Sequence, residues 1–470
     1  MHTTDIKKFN RSYMKTIRFM TLMILLAGIM TTSCSTRSSS PPKEAGAHLV
    51  LSDDSLLTLL QYQTFRYFWD GVEPVSGLAR ERIHMDGNYP QNDQDVVTLG
   101  GSGFGMMAIL VGIERGFITR EEGFLRLRRN TDYLARADRF HGAWPHWLEG
   151  PTGKVKPFSS KDDGGDLVET AFLVQGLLTV AEYFKNGNQQ EQQLVSDINR
   201  LWQEVEWDWY TQGKEVLFWH WSPNVGWEMN FPVGGYNECL IMYVLAASSP
   251  THPISPEVYH KGWARGGAIA HDTTYYDLPT VLDFYEHGDD PTGPLFWAHY
   301  SYLGLNPKGL KDRYADYWQL NRNQALIHYR YALDNPKGFE GYGEKQWGMT
   351  SSYSPNGYAA HHPGEEDLGV ISPTAALSSF PYTPEESMKF LRYLYEEADS
   401  LIGEYGPYDA YSQTHKWLLP RYLAIDQGPI PVMVENYRTG LLWNLFMKNE
   451  ELQRGLQILE FTFDPAAITQ

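Results

Sequence analysis

The chain has 470 residues and a formal net charge of −18, and 14% of its residues are aromatic. This balance argues against nucleic-acid binding, because phosphate binding needs clustered Lys and Arg, and against extended disorder, because disordered chains contain few aromatic residues. The abundant Trp and Tyr suit an uncharged carbohydrate, since aromatic rings offer apolar faces to sugar C–H groups and polar edges to hydroxyls.

The first 34 residues are predicted to be a lipoprotein signal peptide. Basic residues precede the apolar run 19–30, which is shorter than the about 20 residues of a membrane span. The run ends in Thr-Thr-Ser before Cys34 and is similar to a bacterial lipobox, so Cys34 is the predicted lipidation site. Ordinary cleavage beside an incidental cysteine is the alternative, and Met14 is an alternative start. Residues 35–49 form a predicted flexible tether, and we expect an exported, membrane-anchored monomer that faces the periplasm rather than the cell surface.

Residues 50–470 are predicted to form one domain, because no long Pro/Ser/Gly tract divides them. Helical periodicity recurs there in pairs, in which the first member is amphipathic and the second is apolar nearly all round. The predicted pairs are 56–70 with 104–113, 121–137 with 167–184, 194–205 with 238–247, 256–264 with 295–302, 314–333 with 373–380, and 385–401 with 433–447.

Six such pairs predict an all-α fold, an (α/α)6 toroid with minor β-hairpins in its loops. A helix that is apolar on every side must be buried, so the second members should form an inner ring and the first members an outer ring. The repeat is longer than the about 34 residues of a TPR unit. An open α-solenoid is the alternative fold.

Long loops precede the inner helices and should wall a cleft at one face of the toroid. Loops longer than about 12 residues inside a compact domain are usually functional. The loops 71–99, 140–163, 210–235 and 338–371 contain the groups that a sugar cleft uses. The candidate substrate-binding residues are Arg80, Trp144, His146, Trp147, Asp163, Trp221, Glu340, Tyr342, Trp347 and Tyr353.

Acidic residues cluster where double glycines lead into the inner helices. Asp162 and Asp166 flank Gly164-Gly165, and Glu238 follows Gly234-Gly235. Glycine permits close backbone approach at such points. Asp166 and Glu169 also fit a variant of the capping box, and a purely structural role is favoured for Glu169. Glu238 lies at the start of a helix that should be buried, where an idle acid would be costly.

Two acids on neighbouring inner helices can supply glycosidic hydrolysis. That reaction needs one carboxylic acid to protonate the leaving oxygen and one carboxylate to activate water or attack the anomeric carbon. A buried Glu has a raised pKa, and an Asp at a helix N-terminus stays ionised. We therefore predict Glu238 as general acid and Asp166 as base, with Asp162 assisting, and no metal or other cofactor.

Several stretches resemble the bacterial glucoamylase-like proteins, glycoside hydrolase family 144. The similar stretches are Gly100-Gly-Ser-Gly-Phe-Gly, Trp144-Pro-His-Trp, Asp162-Asp-Gly-Gly-Asp-Leu-Val-Glu-Thr, Gly234-Gly-Tyr-Asn-Glu and Gly341-Tyr-Gly. The resemblance runs from about residue 50 to the C-terminus. It implies a toroid and an inverting endo-β-1,2-glucanase that releases short β-1,2-linked gluco-oligosaccharides, and it implies that Asp162, Asp166 and Glu238 match acids that matter there. Exo-acting relatives, or relatives with another glucan linkage, are the first alternative.

Two other classes of protein remain open. A SusD-like glycan-binding lipoprotein would also be anchored, helical and aromatic, but such proteins carry TPR-type repeats and do not need clustered acids at inner-helix starts. A polysaccharide lyase on a similar toroid would use a Tyr, His or Arg base, for which His146 and Tyr353 are candidates. A metal enzyme is least favoured, because no His-x-x-x-His spacing lies beside the acids.

Overall fold

The computed structural model describes residues 51–284 and 292–463. The predicted signal peptide, the lipidation site at Cys34 and the tether lie outside the described residues. The described residues from Leu51 onward belong to one compact unit.

The described part of the chain is a succession of helices joined by loops with short strands. The α-helices are α1 Asp53–Trp69, α2 Leu99–Glu114, α3 Arg120–Leu134, α4 Leu167–Phe184, α5 Gln189–Gln203, α6 Leu240–Ser248, α7 Tyr317–Asp334, α8 Pro373–Leu377, α9 Pro384–Arg392, α10 Ala424–Gln427, α11 Pro429–Arg438, α12 Leu441–Phe446 and α13 Glu450–Ile458. Single turns of other helix types are Trp209–Thr211, Val258–Trp263, Arg265–Gly267, Leu295–Ala298, Tyr393–Glu397 and Asp399–Leu401.

The apolar helices form a closed inner ring. Helix α2 packs against α4, α4 packs against α6, and α11 packs against both α8 and α2, so the last inner helix meets the first. The amphipathic helices α1, α3, α5 and α9 lie outside and contact these inner helices or one another. This closure confirms the (α/α)6 toroid and rules against an open solenoid, whose ends would stay apart.

Glycines allow the first two inner helices to touch backbone to backbone. A Cβ at Gly103 of α2 would lie 2.3 Å from the carbonyl oxygen of Phe172, and one at Gly176 of α4 would lie 2.2 Å from that of Gly103. Helix α4 is long and apolar enough to cross a membrane by composition, but 89% of it is buried inside the toroid. It is therefore a core helix.

The later inner helices are shorter than predicted. Of the predicted helix 295–302, only Leu295–Ala298 forms, as a 3₁₀ turn, and 373–380 is reduced to Pro373–Leu377. The predicted helix 433–447 begins earlier, at Pro429, and is interrupted at Gly440, which has a φ of 72°. Glycine adopts this left-handed conformation without a steric penalty, so the chain turns there and starts α12.

The strands are short, and within the described residues they form two- and three-stranded sheets in the loops. They are β1 Arg82–His84, β2 Val96–Thr98, β3 Trp147–Glu149, β4 Lys154–Lys156, β5 Gly165–Asp166, β6 His220–Trp221, β7 Ala270–Tyr275, β8 Leu278–Leu282, β9 Ser351–Ser354, β10 Gly357–Ala360, β11 Ile402–Gly403, β12 Gly406–Pro407, β13 Tyr411–Ser412, β14 Trp417–Leu418 and β15 Arg421–Leu423. The antiparallel pair β5–β6 sets Asp166 opposite His220. This register joins two loops of the predicted cleft.

Candidate active site

Asp166 is the N-cap of the inner helix α4 and is completely buried. Its Oδ1 accepts hydrogen bonds from the backbone N–H groups of Val168 (3.0 Å) and Glu169 (2.8 Å). Its Oδ2 accepts hydrogen bonds from His146 Nδ1 (2.9 Å) and Trp219 Nε1 (3.0 Å). Both oxygens of this carboxylate are therefore engaged by donors from three parts of the chain.

His146, Asp162, Asp166 and His220 form a histidine–aspartate cluster beside this helix start. His220 Nε2 lies 3.1 Å from Asp162 Oδ2 and 3.3 Å from Asp166 Oδ2, and His146 Nδ1 lies 3.7 Å from Asp162 Oδ2. The loop 140–163 supplies two of these side chains, β5 supplies Asp166 and β6 supplies His220. Two buried carboxylates thus face two imidazoles that are themselves mostly buried.

The carboxylates keep both imidazoles protonated. Burial alone would lower the pKa of His146, but the negative charges of Glu169, Asp166 and Asp162 and the hydrogen bond to Asp166 raise it to about 10. At His220, burial also lowers the pKa, but the two aspartates raise it to about 9. Burial would raise the pKa of Asp166, yet the two imidazolium groups hold it well below its usual value. At neutral pH the cluster therefore holds two imidazolium groups beside the ionised Asp166.

The same four side chains are those that could hold a metal ion. One ligand atom from each lies within 4.8 Å of the others. A metal would require both imidazoles to lose their protons, and Asp166 Oδ2 already accepts hydrogen bonds from His146 and Trp219. The donor set therefore fits protons better than a divalent cation.

Glu169 connects the starts of two inner helices. It does not complete the capping box with Asp166. Its Oε2 instead accepts hydrogen bonds from the backbone N–H of Gly100 (2.8 Å) and from Thr98 Oγ1 (3.3 Å) at the start of α2. Burial raises the pKa of Glu169 to about 7, against the opposing charge of His146. A Cβ at Gly100 would lie 2.7 Å from this carboxylate, which explains why glycine stands there.

Glu238 lies in the turn before α6 and is 8% exposed. Its carbonyl oxygen accepts a hydrogen bond from the hydroxyl of Ser301, which fixes the turn against the segment that carries Tyr300. Burial raises the pKa of Tyr300 well above its usual value, and the negative charges of Asp426, Glu238 and Glu169 raise it further. Acids from three separate inner-helix starts therefore act electrostatically on one buried phenol.

Two further buried acids, Asp426 and Asp409, were not predicted from the sequence. Asp426 lies in α10, directly before the inner helix α11, and Asp409 lies between β12 and β13; they are 3% and 5% exposed. Both line a small cavity of the interior together with Thr374 and Gln427. We refer to them as the Asp409–Asp426 pair. The signal was available, because Asp426, like Glu238, is an acid that precedes an apolar helix.

A second network borders the Asp409–Asp426 pair. Arg82 forms an ion pair with Glu81 and donates a hydrogen bond from Nη1 to Tyr353 Oη (2.6 Å). The backbone N–H of Tyr353 donates in turn to Asp409 Oδ2 (3.1 Å). Burial raises the pKa of Tyr353 to about 12, so its phenol is neutral at physiological pH.

The structure places the predicted substrate-binding residues unevenly. Trp147 is half-buried and lies beside His146 and Phe158, with ring centroids 5.5 and 4.9 Å away, so an aromatic wall borders the histidine–aspartate cluster. Phe158 is 52% exposed and stacks on His146. This wall is accessible to a sugar ring.

Three of the predicted substrate-binding side chains have partners inside the protein. Trp144 and Trp347 are fully buried and donate to the carbonyl oxygens of Leu134 and Glu386. Tyr342 donates its hydroxyl proton to Asp367 (2.7 Å). An aromatic residue near a cleft can serve the core instead, and the sequence does not distinguish the two uses.

The other predicted binding residues lie around the rim with partners of their own. Arg80 pairs with Asp95, Asp163 accepts a hydrogen bond from Asn224, and Trp221 packs its ring on His141 and Trp209. Glu340 is exposed and borders an open cavity with Gln413 and Trp417.

Comparisons with known proteins agree with this architecture. The Glycoamylase family model, which describes glucoamylase-like proteins, matches residues 230–450. The chain is 61% identical to an endo-β-1,2-glucanase from Chitinophaga pinensis solved with sophorotriose and glucose; the match covers 88% of this chain and 99% of that one, with a TM-score of 0.87. A fungal endo-β-1,2-glucanase from Talaromyces funiculosus solved with sophorose, at 9% identity and a TM-score of 0.61, shares the fold alone.

A curated relative is longer than this chain. The exo β-1,2-glucooligosaccharide sophorohydrolase (non-reducing end) of Parabacteroides distasonis is 45% identical over 432 residues, which cover 87% of this chain but 58% of that protein. The chain thus spans somewhat more than half of that relative. On the strength of the match to the Chitinophaga enzyme over nearly its whole length, the chain belongs to the glucoamylase-like proteins of glycoside hydrolase family 144.

Proposed function

We propose that this protein is a glycoside hydrolase that cleaves β-1,2-glucan at internal bonds, with inversion at the anomeric carbon, and releases short gluco-oligosaccharides. The observation that carries the proposal is that two buried acids, Glu238 and Asp426, stand at the starts of different inner helices, and that both raise the pKa of the same buried phenol, Tyr300. Hydrolysis needs two carboxyl groups on either side of one bond, and these come from different inner helices at one end of the toroid. The aromatic wall of Trp147 and Phe158 supports a sugar ligand.

Glu238 is the proposed general acid. It is 8% exposed, and burial favours the protonated form of a carboxyl group. Asp426 is the candidate that takes the proton of the attacking water. In the balanced step, a water oxygen bonds to the anomeric carbon, the glycosidic C–O bond breaks, Glu238 protonates the leaving oxygen and Asp426 accepts the water proton.

Asp166, which the sequence suggests as the base, is better suited to positioning. A carboxylate whose two oxygens accept four hydrogen bonds, with a pKa held low, is a weak base and has little capacity left for water. We propose that Asp166 and Asp162 orient the imidazolium groups of His146 and His220. The Nε2–H group of His146, whose side chain is 20% exposed, can then donate to a sugar hydroxyl.

Endo cleavage is favoured over exo cleavage by the extent of the matches. The endo-acting Chitinophaga enzyme is matched over 99% of its length, whereas the exo-acting relative has much sequence beyond the matched part. Exo release of sophorose is the second candidate, because that relative is 45% identical.

A lyase is disfavoured by the protonation of its candidate bases. The raised pKa of His146, about 10, keeps the imidazole protonated, and the phenol of Tyr353 accepts a hydrogen bond from Arg82. Neither group is ready to remove a proton from a sugar at neutral pH.

The test is product analysis on linear β-1,2-glucan. We expect a series of short oligosaccharides from the earliest times and a rapid fall in mean chain length, with the new anomeric centres initially α by NMR. Sophorose as the sole early product would favour the exo candidate. Glu238→Gln should lower kcat by about 10³-fold or more, as for other general acids of this kind. Absence of cleavage in the wild type across pH 4–8 would refute the proposal.

We also propose that Cys34 anchors the protein to a membrane by a lipid, with the domain on the periplasmic side. The Thr-Thr-Ser-Cys34 sequence after an apolar run supports this. Metabolic labelling with a fatty acid should mark the wild type and leave Cys34→Ser unlabelled and soluble. Equal labelling of both proteins would contradict the anchor.

A further inference from the structure

The Asp409–Asp426 pair is a second acidic centre, and it is built differently from the histidine–aspartate cluster. In that cluster each aspartate faces an imidazolium group. Asp409 and Asp426 instead line the same small interior cavity, within hydrogen-bonding reach of each other, and they are only 5% and 3% exposed. Burying two like charges side by side is costly unless one of them is neutralised.

The oxygens of the pair have few donors. Among the described residues, both oxygens of Asp426 and Oδ1 of Asp409 are buried without a hydrogen bond from a donor, whereas Asp409 Oδ2 accepts one from the backbone of Tyr353. The hydroxyl of Tyr300 is close to Asp426 but does not have the geometry of a formed hydrogen bond. One proton held between the two carboxyl groups would give each of them a partner.

The charges around the pair do not remove the need for that proton. Glu81 adds negative charge, and the positive charge of Arg82 is already paired with Glu81 and lies 3.4 Å from Asp93. The ring of Tyr353 lies beneath the guanidinium of Arg421. The titratable or charged groups around the pair on the neighbouring elements are Glu81, Arg82, Tyr300, Tyr353, Tyr358, Tyr408 and Arg421.

We propose that Asp409 is a positioning residue that shares a single proton with Asp426 and thereby sets the pH range in which Asp426 accepts the proton of water. The inference rests on the proposed function. The singly protonated pair carries one negative charge and takes up one proton from the attacking water to become neutral. That proton passes to solvent after product release, while Glu238 is reprotonated, so the cycle balances.

The pKa values of the two groups agree with this arrangement. Burial raises the pKa of Asp409 to about 6, and burial and the charge of Asp409 raise the pKa of Asp426 well above its usual value. Because both folded pKa values exceed the unfolded values near 4, the folded state binds more protons. The stabilisation is complete below about pH 4 and is lost as pH rises through the folded pKa values.

The first test needs no substrate. The unfolding equilibrium constant of the wild type and of Asp409→Asn is measured in urea from pH 5 to 8. The amide cannot share a proton in the same way and brings no charge, so the pKa of Asp426 should fall in the variant. Where the folded wild type binds one more proton than the folded variant, the ratio of the wild-type to the variant unfolding constant should rise by up to tenfold for each pH unit. A ratio that is independent of pH overturns the proposal.

The second test is the pH dependence of kcat on β-1,2-glucan. In Asp409→Asn the acidic limb should move down by one pH unit or more, and plateau kcat should fall three- to tenfold with KM within twofold, because a weaker base accepts the proton. Asp409→Glu should return the limb towards the wild-type position. An unmoved limb in Asp409→Asn overturns the proposal.

A matched control separates this effect from a loss of packing. Asp367 is also buried, with one oxygen unsatisfied among the described residues, but it binds Tyr342 and the N–H of Gly369 instead of a second acid. Asp367→Asn should leave the acidic limb in place even if stability falls; a limb that moves equally in both variants contradicts the proposal. If the stability ratio behaves as expected but the wild type cleaves no glucan, proton sharing stands and the proposed function fails.

Discussion

Replacing Asp166 with asparagine should destabilise the protein strongly while preserving its helix cap. The amide oxygen can still accept from Val168 and Glu169, but the amide N–H₂ group would then face the donors of His146 and Trp219. Two hydrogen bonds to a charged acceptor, each worth about 1.5–3 kcal/mol, are lost. Removing one partner of a buried ion pair costs about 3–5 kcal/mol. We therefore expect Asp166→Asn to lower the free energy of unfolding by about 3–5 kcal/mol at pH 6.

The pH dependence of this loss follows from the imidazoles. The pKa values of His146 and His220 are raised to about 10 and 9 in the folded protein. Their stabilisation is fully present below about 6.5, the unfolded value, and is lost as pH rises through 9 and 10. In Asp166→Asn the pKa values of the two imidazoles are raised less on folding, so their protonation stabilises the folded state less. The difference from wild type should therefore be largest near pH 6 and should shrink towards pH 10.

The assay is urea unfolding followed by tryptophan fluorescence at pH 6, 8 and 10. Asp163→Asn is the matched control, because Asp163 is the neighbouring acid, is only half-buried and contacts Asn224; it should cost less than about 1 kcal/mol. The reasoning is refuted if Asp166→Asn costs less than about 1 kcal/mol at pH 6, or if its cost stays constant up to pH 10.

Three further changes test other parts of the site. Incubation with EDTA should leave glucan turnover within twofold, because protonated imidazoles in the histidine–aspartate cluster are poor metal ligands; full loss with recovery on adding Zn²⁺ would contradict this. Gly165→Ala should cost several kcal/mol in urea unfolding, since its Cβ would lie 1.9 Å from the hydroxyl of Tyr210, whereas Gly116→Ala, in open space with a φ of 71°, should cost about 1–2 kcal/mol; equal costs would dispute the packing. Trp147→Ala should raise KM tenfold or more with little change in stability, whereas Trp144→Phe should lower stability with little change in KM. The opposite pattern would contradict the placing of Trp147 at the binding wall and of Trp144 in the core.

The sequence predicted the regular part of the ring well. The predicted run 167–184 coincides with α4, and 104–113 lies inside α2, which begins earlier, at Leu99, and includes the double glycine. A run that is apolar on every face has few other structures open to it. The run 295–302 has the same composition, yet only Leu295–Ala298 is helical. Gly293 and Pro294 precede it, and periodicity alone cannot separate a buried helix from a buried irregular segment.

The sequence found one half of the acidic site. An acid before an apolar helix pointed to Asp166 and Glu238, and the same signal stands at Asp426. Asp426 was missed because the last inner helix was predicted to begin at residue 433. The helix begins at Pro429, since proline is well tolerated in a first helical turn. The partners that decide each acid's role, such as Tyr300 and Asp409, are brought in by closure of the ring, and no local pattern records that contact.

The most direct test of the account is a comparison of wild type, Glu238→Gln, Asp426→Asn and Asp166→Asn on linear β-1,2-glucan, with stability measured in parallel. We predict that the first two variants lose about 10³-fold or more in kcat while staying folded, and that Asp166→Asn loses stability and raises KM more than it lowers kcat. Near-normal kcat in Glu238→Gln or Asp426→Asn would contradict the claim that these two acids, from separate inner helices, cleave the glycosidic bond.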